Sequence, residues 1–472
     1  MSGLTARIVL GSCLLLLPAC TVGPDYVKPV PVETMPAAYK ELEGWKVAEP
    51  QDGTIPERWW EIYGDPVLNA LEERIAISNL TIATAEARFR QARAAVRMAR
   101  AGYFPSLSAG ASATRSQRPR SPGAVSSGPV SDFQIPLDVS WELDLWGRIR
   151  RGVESSQANA QASASDLAAA TLSAQAELAG SYFQLRVLDA QAKLLEATTD
   201  VYRKSLEMTA NRYAAGVVAK ADLLQAETQL NSTEAQKIDL GVQRAQLEHA
   251  IALLIGTPPS AFSLPASSIT GTVPHIQAGL PSEILERRPD IAASERSMAA
   301  ANAQIGIAKA AYFPTVRLAA SAGLEASSIS SLLAWPSRFW SVGPVMSATL
   351  FDGGLRAAQS DQVKAAYDAT VATYRETVLA AFQEVEDNLA ALRILEEEIR
   401  VQDQAVRAAQ QVVTITANQY QSGTVAYLNV LVAQSTSLAN ERTALGLLGR
   451  RLTASVLLVK ALGGGWVPKE VQ

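Results

Sequence analysis

The chain has 472 residues, of which 48% are hydrophobic and 19% are charged, and its formal net charge is -4. This length is sufficient for two or three domains with a sizeable core, and the composition excludes a disordered or fibrous protein. Binding of nucleic acid needs a basic stripe on the surface, so for this slightly acidic chain we predict no nucleic-acid partner.

The first 19 residues have the pattern of a secretory signal peptide. Arg7 precedes a mostly apolar run at positions 8–17, which is too short to span a bilayer, and the small residue Ala19 lies before the expected cut. The motif LPAC at positions 17–20 resembles the lipobox of bacterial lipoproteins. This resemblance implies that Cys20 becomes the lipid anchor, carrying diacylglycerol and an N-acyl chain. The alternative is an ordinary signal peptide that happens to contain a cysteine.

The residues around the expected cut also bear on the compartment. The only other cysteine, Cys13, lies inside the signal, so the mature exported chain would have no disulfide bond. Thr21 follows Cys20, whereas an aspartate at that position commonly retains lipoproteins at the inner membrane. The resemblance therefore implies a protein anchored at the outer membrane.

Beyond this region the chain repeats itself. The motif NRYAAG at positions 211–216 returns as NQYQSG at positions 418–423, a spacing of 418 - 211 = 207 residues. Such a spacing is far longer than the units of solenoid proteins and indicates two similar halves. The predicted organisation is a signal peptide at 1–19, a proline-rich extended tether at 20–58, a first structural repeat at 59–270, a second at 271–465 and a C-terminal tail at 466–472.

Each repeat contains a predicted pair of amphipathic strands. In FQIPLDVSWELDL, positions 133–145, apolar residues occupy every odd position and mostly polar residues the even ones, which is typical of a strand with one apolar face. Its length of roughly 43 Å would cross a hydrocarbon layer of about 30 Å when tilted. The predicted pairs are 105–115 with 133–145, and 315–325 with 340–350.

Long helical patterns fill most of the remaining chain. They are predicted at 150–213 and 217–255 in the first repeat, and at 353–420 and 425–462 in the second. A helix of about 60 residues is roughly 90 Å long, which indicates a helical repeat, a coiled coil or a tube. These helices are too polar to cross lipid, and the acidic stretch from Glu384 to Glu398 is interpreted as a solvated helix face.

Four strands are too few to enclose a lumen. An open sheet edge in lipid leaves backbone groups unpaired at a cost of several kcal/mol each, so other chains would have to complete the wall. Two chains would supply the eight strands of the smallest membrane barrels, and three would supply twelve. The alternative is a soluble sandwich with half-buried strands.

The chain resembles the TolC-like outer membrane efflux proteins, in particular the lipoprotein branch typified by NodT and OprM. The resemblance covers nearly the whole mature chain and rests on CTVGPDY at positions 20–26, ERRPDI at 286–291 and FDGG at 351–354. It implies a mainly α fold with a membrane β part. It further implies a homotrimer in which a 12-stranded β-barrel continues into a long periplasmic α-helical barrel.

The resemblance also implies site residues at the two glycine-containing helix reversals. The reversals match the periplasmic tips at which the helical hairpin of an adaptor docks, although each is also explained as a plain loop. The predicted docking residues are Gly216, Val217, Val218, Gly423, Thr424 and Val425. A periplasmic gate is expected beside them, formed by Asp222 as the main charge, Asn429 as a polar ring and Tyr420 as a hydrogen-bond partner. A solvated aspartate on a helix face is the alternative for Asp222.

The leading functional hypothesis is a passive exit duct of a tripartite efflux pump. It would carry small molecules such as drugs from a periplasmic membrane-fusion adaptor and an inner-membrane pump of the RND type. We find no catalytic or metal-binding constellation, so we predict no enzyme and no cofactor other than the covalent lipid. The alternatives are a protein-secretion duct of the same family and an envelope-spanning structural coiled-coil lipoprotein.

Overall fold

The computed structural model of the chain describes residues 21–31, 38–41, 56–117, 128–269, 273–274, 276 and 284–467. The predicted signal peptide, Cys20 and residues 468–472 of the predicted tail lie outside these residues. The chain divides into two compact units. Unit 1 comprises Met1–Val30, Arg88–Ser163 and Ala293–Tyr374, and unit 2 comprises Pro31–Ala87, Ala164–Ala292 and Arg375–Gln472.

The described residues form eight α-helices and five β-strands. The helices are α1 (Pro66–Ser78), α2 (Leu80–Ala101), α3 (Arg148–Ala214), α4 (Lys220–Leu254), α5 (Ile284–Arg287), α6 (Pro289–Ala310), α7 (Leu355–Gln421) and α8 (Tyr427–Ala461). The strands are β1 (Ser106–Ala109), β2 (Ser112–Ser116), β3 (Val130–Leu143), β4 (Thr315–Ala326) and β5 (Arg338–Ser347). None of the described helices is both long enough and apolar enough to cross a membrane.

The internal duplication is visible in the lengths of corresponding helices. Helices α2 and α6 have 22 residues each, α3 and α7 have 67 each, and α4 and α8 have 35 each. An aspartate also caps the start of both α3 and α7. The carboxylate of Asp144 accepts hydrogen bonds from the N–H groups of Ile149 and Arg150, and that of Asp352 accepts one from Arg356. The duplication predicted from the sequence is therefore confirmed.

Unit 1 contains one antiparallel sheet. Strand β3 pairs with β4 and β4 pairs with β5, while β1 and β2 both lie on the other side of β3. Their registers agree, with Ala109 opposite Leu137 and Ser112 opposite Gln134. The two segments therefore form one interrupted strand, and the sheet has four strand positions. Among the described residues, its two outer edges have no strand partner.

Pro136 explains the interruption between β1 and β2. Its carbonyl accepts a hydrogen bond from the N–H of Gly110, with an N···O distance of 3.0 Å. Proline has no N–H to return the second bond of the pair, so the ladder is broken there. On the other side of β3, Pro136 lies opposite Gly323 of β4. A Cβ at Gly323 would lie 2.9 Å from the Cα of Pro136, so only glycine fits without a shift of the strands.

The described N-terminal segment forms a strap along helices of unit 1. The backbone of Gly23, at φ +116°, lies so close to Gly306 that a Cβ would approach the Cα of Gly306 to 2.6 Å. Asp25 pairs with the buried guanidinium of Arg151, with an N···O distance of 2.7 Å. Lys28 pairs with Glu295 at 2.7 Å. The motif resembling the lipoprotein branch is thus bound to the helices through close backbone packing and charge.

Buried ion pairs tie together the chain segments of unit 2. The side chain of Asp189 accepts hydrogen bonds from Arg186 at 3.0 Å, from Arg244 at 2.8 Å and from the N–H of Ser267 at 3.1 Å. The guanidinium of Arg186 also donates to the carbonyl of Pro265 at 2.8 Å. Since these donors and acceptors are paired, the buried charges fix the segment that follows α4.

The acidic stretch of α7 is predicted to be a solvated face. Glu384 and Glu396 are exposed there, whereas Glu386 is half-buried, and all three have partners in the chain. Glu384 pairs with the buried Arg288 at 2.7 Å, and Glu396 pairs with Arg451 at 2.9 Å. Glu386 accepts two hydrogen bonds, at 2.7 and 3.0 Å, from the N–H groups of Lys40 and Glu41. The partners come from distant parts of the chain, so helix periodicity alone could not reveal them.

Candidate functional site

The first helix reversal is a Schellman turn at the end of α3. Gly216 has φ +73°, and its N–H donates to the carbonyl of Tyr213 at 2.9 Å. The N–H of Val217 donates to the carbonyl of Arg212 at 2.9 Å. These two bonds satisfy carbonyls that the helix end would leave unpaired, and the positive φ favours glycine.

The second reversal has the same geometry at the end of α7. Gly423 has φ +74°, its N–H donates to the carbonyl of Tyr420 at 3.0 Å, and the N–H of Thr424 donates to Gln419 at 3.0 Å. The guanidinium of Arg212, from the first reversal, donates to the carbonyl of Tyr420 at 3.4 Å. The two reversals therefore lie side by side at one end of unit 2.

An aromatic cluster lies beneath the second reversal. Tyr420 and Tyr427 are 4% and 2% exposed, and their ring centroids are 5.3 Å apart. The guanidinium of Arg212 lies over the ring of Tyr420, 4.6 Å from its centroid, which is a cation–π contact. Among the described residues, the hydroxyl of Tyr420 has no hydrogen-bond partner. Within one chain Tyr420 thus contributes its ring and its backbone carbonyl, which accepts from Arg212, and the hydrogen bond of its hydroxyl stays a prediction.

Asp222 lies half-buried in the first turn of α4, close to this cluster. A carboxylate in the first turn is favoured by the partial positive charge of the helix N-terminus. Burial raises the pKa of Tyr427 to about 12, and the carboxylate of Asp222 contributes to the same direction of shift. The phenol of Tyr427 is therefore neutral at physiological pH, and the charged groups beside the cluster are Asp222 and Arg212.

Asn429 corresponds to Asp222 in the second repeat, since 429 - 222 = 207. It is exposed, and with Leu428 and Val432 it lines a groove of about 320 Å³ between α7 and α8. The two reversals thus differ chemically, because one carries a carboxylate and the other an amide. Asp222 and Tyr420 lie close together, whereas Asn429 projects into the separate groove.

The six predicted docking residues are not equally accessible. Gly216, Val217, Gly423 and Thr424 are exposed, and Val218 is half-buried. Val425 instead packs against the aromatic cluster. The exposed turn residues are available to a partner, while Val425 supports the turn from inside.

Sequence reasoning missed Arg212 and Tyr427 as members of this site. Arg212 lies within the repeated NRYAAG motif, and Tyr427 begins the helix that follows the reversal after Tyr420. An aromatic residue at each side of a glycine reversal was a usable signal for Tyr427. The contact of Arg212 with Tyr420 could not be seen, because the two residues are 208 positions apart.

Comparison with known proteins shows the family. The family model "Outer membrane efflux protein" matches residues 71–257 and 280–464. The toluene efflux pump outer membrane protein TtgC of Pseudomonas putida is 32% identical over 458 residues, covering 96% of this chain and 94% of that protein. The pyoverdine export outer membrane protein OpmQ of Pseudomonas aeruginosa is 32% identical over 464 residues, covering 96% of each.

Solved structures agree with this result. The outer-membrane channel OprN has a TM-score of 0.89 at 32% identity, covering 95% of this chain and 100% of that chain. The open state of the MtrE outer membrane channel of Neisseria gonorrhoeae has a TM-score of 0.82 at 28% identity, covering 94% and 98%. The chain belongs to the outer membrane efflux protein family. The protein is an outer-membrane efflux channel that extends into the periplasm, so the predicted fold class, function and localisation are confirmed.

Proposed function

We propose that three copies of this chain form one duct that passes small organic molecules from the periplasm through the outer membrane. The observation that carries the proposal is the four-position sheet whose two outer edges have no strand partner among the described residues. Three such sheets joined edge to edge supply 3 × 4 = 12 strands and leave no unpaired edge in lipid.

The cargo assignment rests on what relatives are named for. The similar proteins are named for export of toluene and of pyoverdine, both small molecules. This favours a small-molecule duct over a protein-secretion duct. A purely structural coiled coil is disfavoured because family members are channels. The family resemblance supports the further proposal that an inner-membrane pump of the RND type drives transport.

The exposed turns support the proposal that a periplasmic adaptor docks on the reversals. Gly216, Val217, Gly423 and Thr424 lie side by side at one end of unit 2 and present backbone and small side chains. A helical hairpin of the adaptor could approach them closely. The neighbouring Asp222 would then lie where docking can change the width of the entrance.

Single-channel recording tests the duct. The purified protein in a planar bilayer should form stable ion-conducting openings, and its mass in detergent should correspond to three chains. The Asp222→Asn variant, which lacks the predicted gate charge, is recorded in the same series. A monomer, or a trimer that stays silent together with that variant, would favour the structural scaffold.

The same recordings test the gate assignment of Asp222. Replacing it with asparagine removes one charge per chain, and three per trimer, where the helices would converge. We expect the preference for K⁺ over Cl⁻ to fall by about twofold, because fixed charges at a constriction set ion selectivity. Asp239→Asn is the matched control, since Asp239 is an exposed aspartate on the same helix α4. Equal effects of both variants would show that Asp222 is only a solvated helix residue.

The position of the strap supports the proposal that Cys20 is lipidated. Thr21, its neighbour in the chain, packs against Gly147, and the N–H of Val22 donates to the carbonyl of Trp146 at 3.2 Å. The indole of Trp146 stacks on Phe313 with centroids 4.7 Å apart. Aromatic side chains of this kind mark the membrane–water interface of outer-membrane strands. A lipid chain attached before Thr21 would therefore enter the membrane at a suitable depth.

Metabolic labelling with radioactive palmitate tests the anchor. The wild-type protein and Cys13→Ser, which alters only the signal, should incorporate label. Cys20→Ser should incorporate none, because it lacks the thiol that receives the lipid. Unlabelled wild-type protein would instead indicate an ordinary signal peptide, and the duct proposal would stand without the anchor.

A further inference from the structure

Unit 2 contains a groove of about 710 Å³ where its four long helices meet. The side chains of Leu188, Leu395 and Leu457 form an apolar floor, and Gln184, Gln243 and Gln246 add amide groups. A concave surface of this volume with few polar groups is typical of sites for drug-sized ligands. The groove is distinct from the helix reversals and has no assigned role.

The groove lies on the face of the helices that other segments leave uncovered. On α3, Tyr182 contacts Asp65 and Arg186 contacts Pro265, whereas the groove residues Gln184 and Leu188 are each two positions further on. Two positions turn about 200° around a helix, so these side chains point the opposite way. In the proposed duct, the uncovered face is the one that can line the conduit.

The same relation holds on the second repeat. On α7, Glu386 contacts the N–H groups of residues 40 and 41, and the groove residue Asn388 is two positions further on. On α8, Ser455 contacts the hydroxyl of Tyr63 at 2.8 Å, and the groove residue Leu457 is two positions further on. Three helices therefore place the groove on one common face.

Glycine on α8 makes the surface concave. Gly446 lines the groove, and a Cβ at this position would have no atom within 4 Å. Gly449 packs so closely on Val187 that a Cβ would approach its Cγ2 to 2.8 Å. The first repeat has Asp239 and Val242 at the positions 207 residues earlier. Both repeats contribute equivalent residues to the groove, such as Leu188 and Leu395, whereas the two glycines occur only in the second repeat.

Arg450 is the single charged side chain that lines the groove. It is 66% exposed, and its guanidinium is 3.9 Å from the carboxylate of Glu398, which is a weak surface pair. The guanidinium can therefore form charge-assisted hydrogen bonds with a second anion. A ligand that suits this groove combines an apolar body with one negatively charged group.

We propose that the groove is a transit site for amphipathic organic anions, held by Arg450 over a leucine floor. The inference rests on the proposed duct, because the groove must face the conduit. The proposed contact between Arg450 and the transported molecule is separate from the helix reversals. The first repeat has Gln243 at the position equivalent to Arg450, so each chain has one such site, and the proposed trimer has three.

Calorimetric titration of the trimer in nanodiscs tests the proposal, with 2-naphthoate as probe and uncharged 2-naphthamide as its matched ligand. The wild type should bind naphthoate saturably and more tightly than the amide. Arg450→Met should weaken naphthoate binding roughly fivefold and leave the amide unchanged, since it removes only the charge-assisted contact. Gly446→Leu should abolish binding of both ligands by filling the groove.

Gly241→Leu is the control for the glycine substitution. Gly241 lies within α4, outside the groove, and a Cβ there also has no atom within 4 Å. If Gly446→Leu binds naphthoate as tightly as the wild type, the proposed site is wrong. If Gly446→Leu alone loses its trimers, the groove is an interface between copies, and the proposed site is again wrong. The conductance of the wild-type channel is measured separately. A normal conductance without naphthoate binding would contradict the transit site and leave the proposed duct intact.

Discussion

Glu72→Gln should stabilise the protein at alkaline pH and have little effect at acidic pH. Glu72 lies in α1, is 0% exposed, and neither of its carboxyl oxygens has a hydrogen-bond partner among the described residues. Burial raises the pKa of this carboxyl from 4.5 to about 9. The folded protein therefore keeps a neutral carboxyl at neutral pH, for which glutamine is a close substitute.

The sign of the pH dependence follows from the two states. Between pH 4.5 and about 9 the folded chain binds a proton that the unfolded chain releases, so the free energy of unfolding falls as pH rises. Each pH unit is worth about 1.4 kcal/mol, so raising the pH from 5 to 8 should cost the wild type about 4 kcal/mol from this group. The loss is complete above about pH 9, where both states are ionised.

Thermal unfolding of the trimer at several pH values measures this effect. The melting temperature of Glu72→Gln should exceed that of the wild type by a margin that grows from pH 5 to pH 8. Glu73→Gln is the matched control, because the neighbouring carboxylate is 58% exposed at its side chain and pairs with Arg58. Parallel pH profiles for the wild type and Glu72→Gln would show that the buried carboxyl is not protonated.

Glu72 also shows where sequence analysis reaches its limit. Residues 72 and 73 are adjacent glutamates in one helix, and no local signal separates the buried one from the exposed one. The covering of α1 by distant segments decides the difference, as the hydroxyl of Ser78, which donates to the carbonyl of Ile255 at 2.7 Å, illustrates. Burial of a single charge depends on tertiary packing, which one sequence does not reveal.

Features that depend on neighbouring residues in the sequence, in contrast, could be predicted. Gly216 and Gly423 were expected to turn the chain, and both have positive φ angles in matching Schellman turns. The alternation in β3 predicted a strand, since period two is a local property. The residues of the candidate site at the helix reversals could be predicted only in part. Asp222 and Tyr420 could be named from the family resemblance, but the contact of Arg212 with Tyr420 depends on packing between repeats.

The free sheet edges connect the fold to the channel function. Within the part of the chain that the structure describes, β3 and β4 are paired on both sides, whereas the interrupted β1–β2 strand and β5 have one partner each. A substitution that separates β3 from β4 would therefore disrupt the central strand pair of the sheet. The sheet could then not pair with the sheets of other chains. The junction of Pro136 with Gly323 lies in that pair.

Gly323→Val should prevent assembly of the trimer. A Cβ at Gly323 would lie 2.2 Å from the carbonyl oxygen of Ile135 and 2.9 Å from the Cα of Pro136. Both obstacles are backbone atoms, so they cannot move away without parting β3 from β4.

We expect a cost above about 4 kcal/mol and a drop of heat-resistant trimers in outer-membrane fractions to below about a tenth of the wild type, as measured by electrophoresis without boiling. Ala322→Val is the matched control, because Ala322 precedes Gly323 in the inner strand β4, already has a Cβ and is exposed. Valine favours strands, so the control should assemble normally. Normal trimers of Gly323→Val would show that β3 and β4 are not paired in the register described, and the closure of the proposed barrel would then need another arrangement of strands.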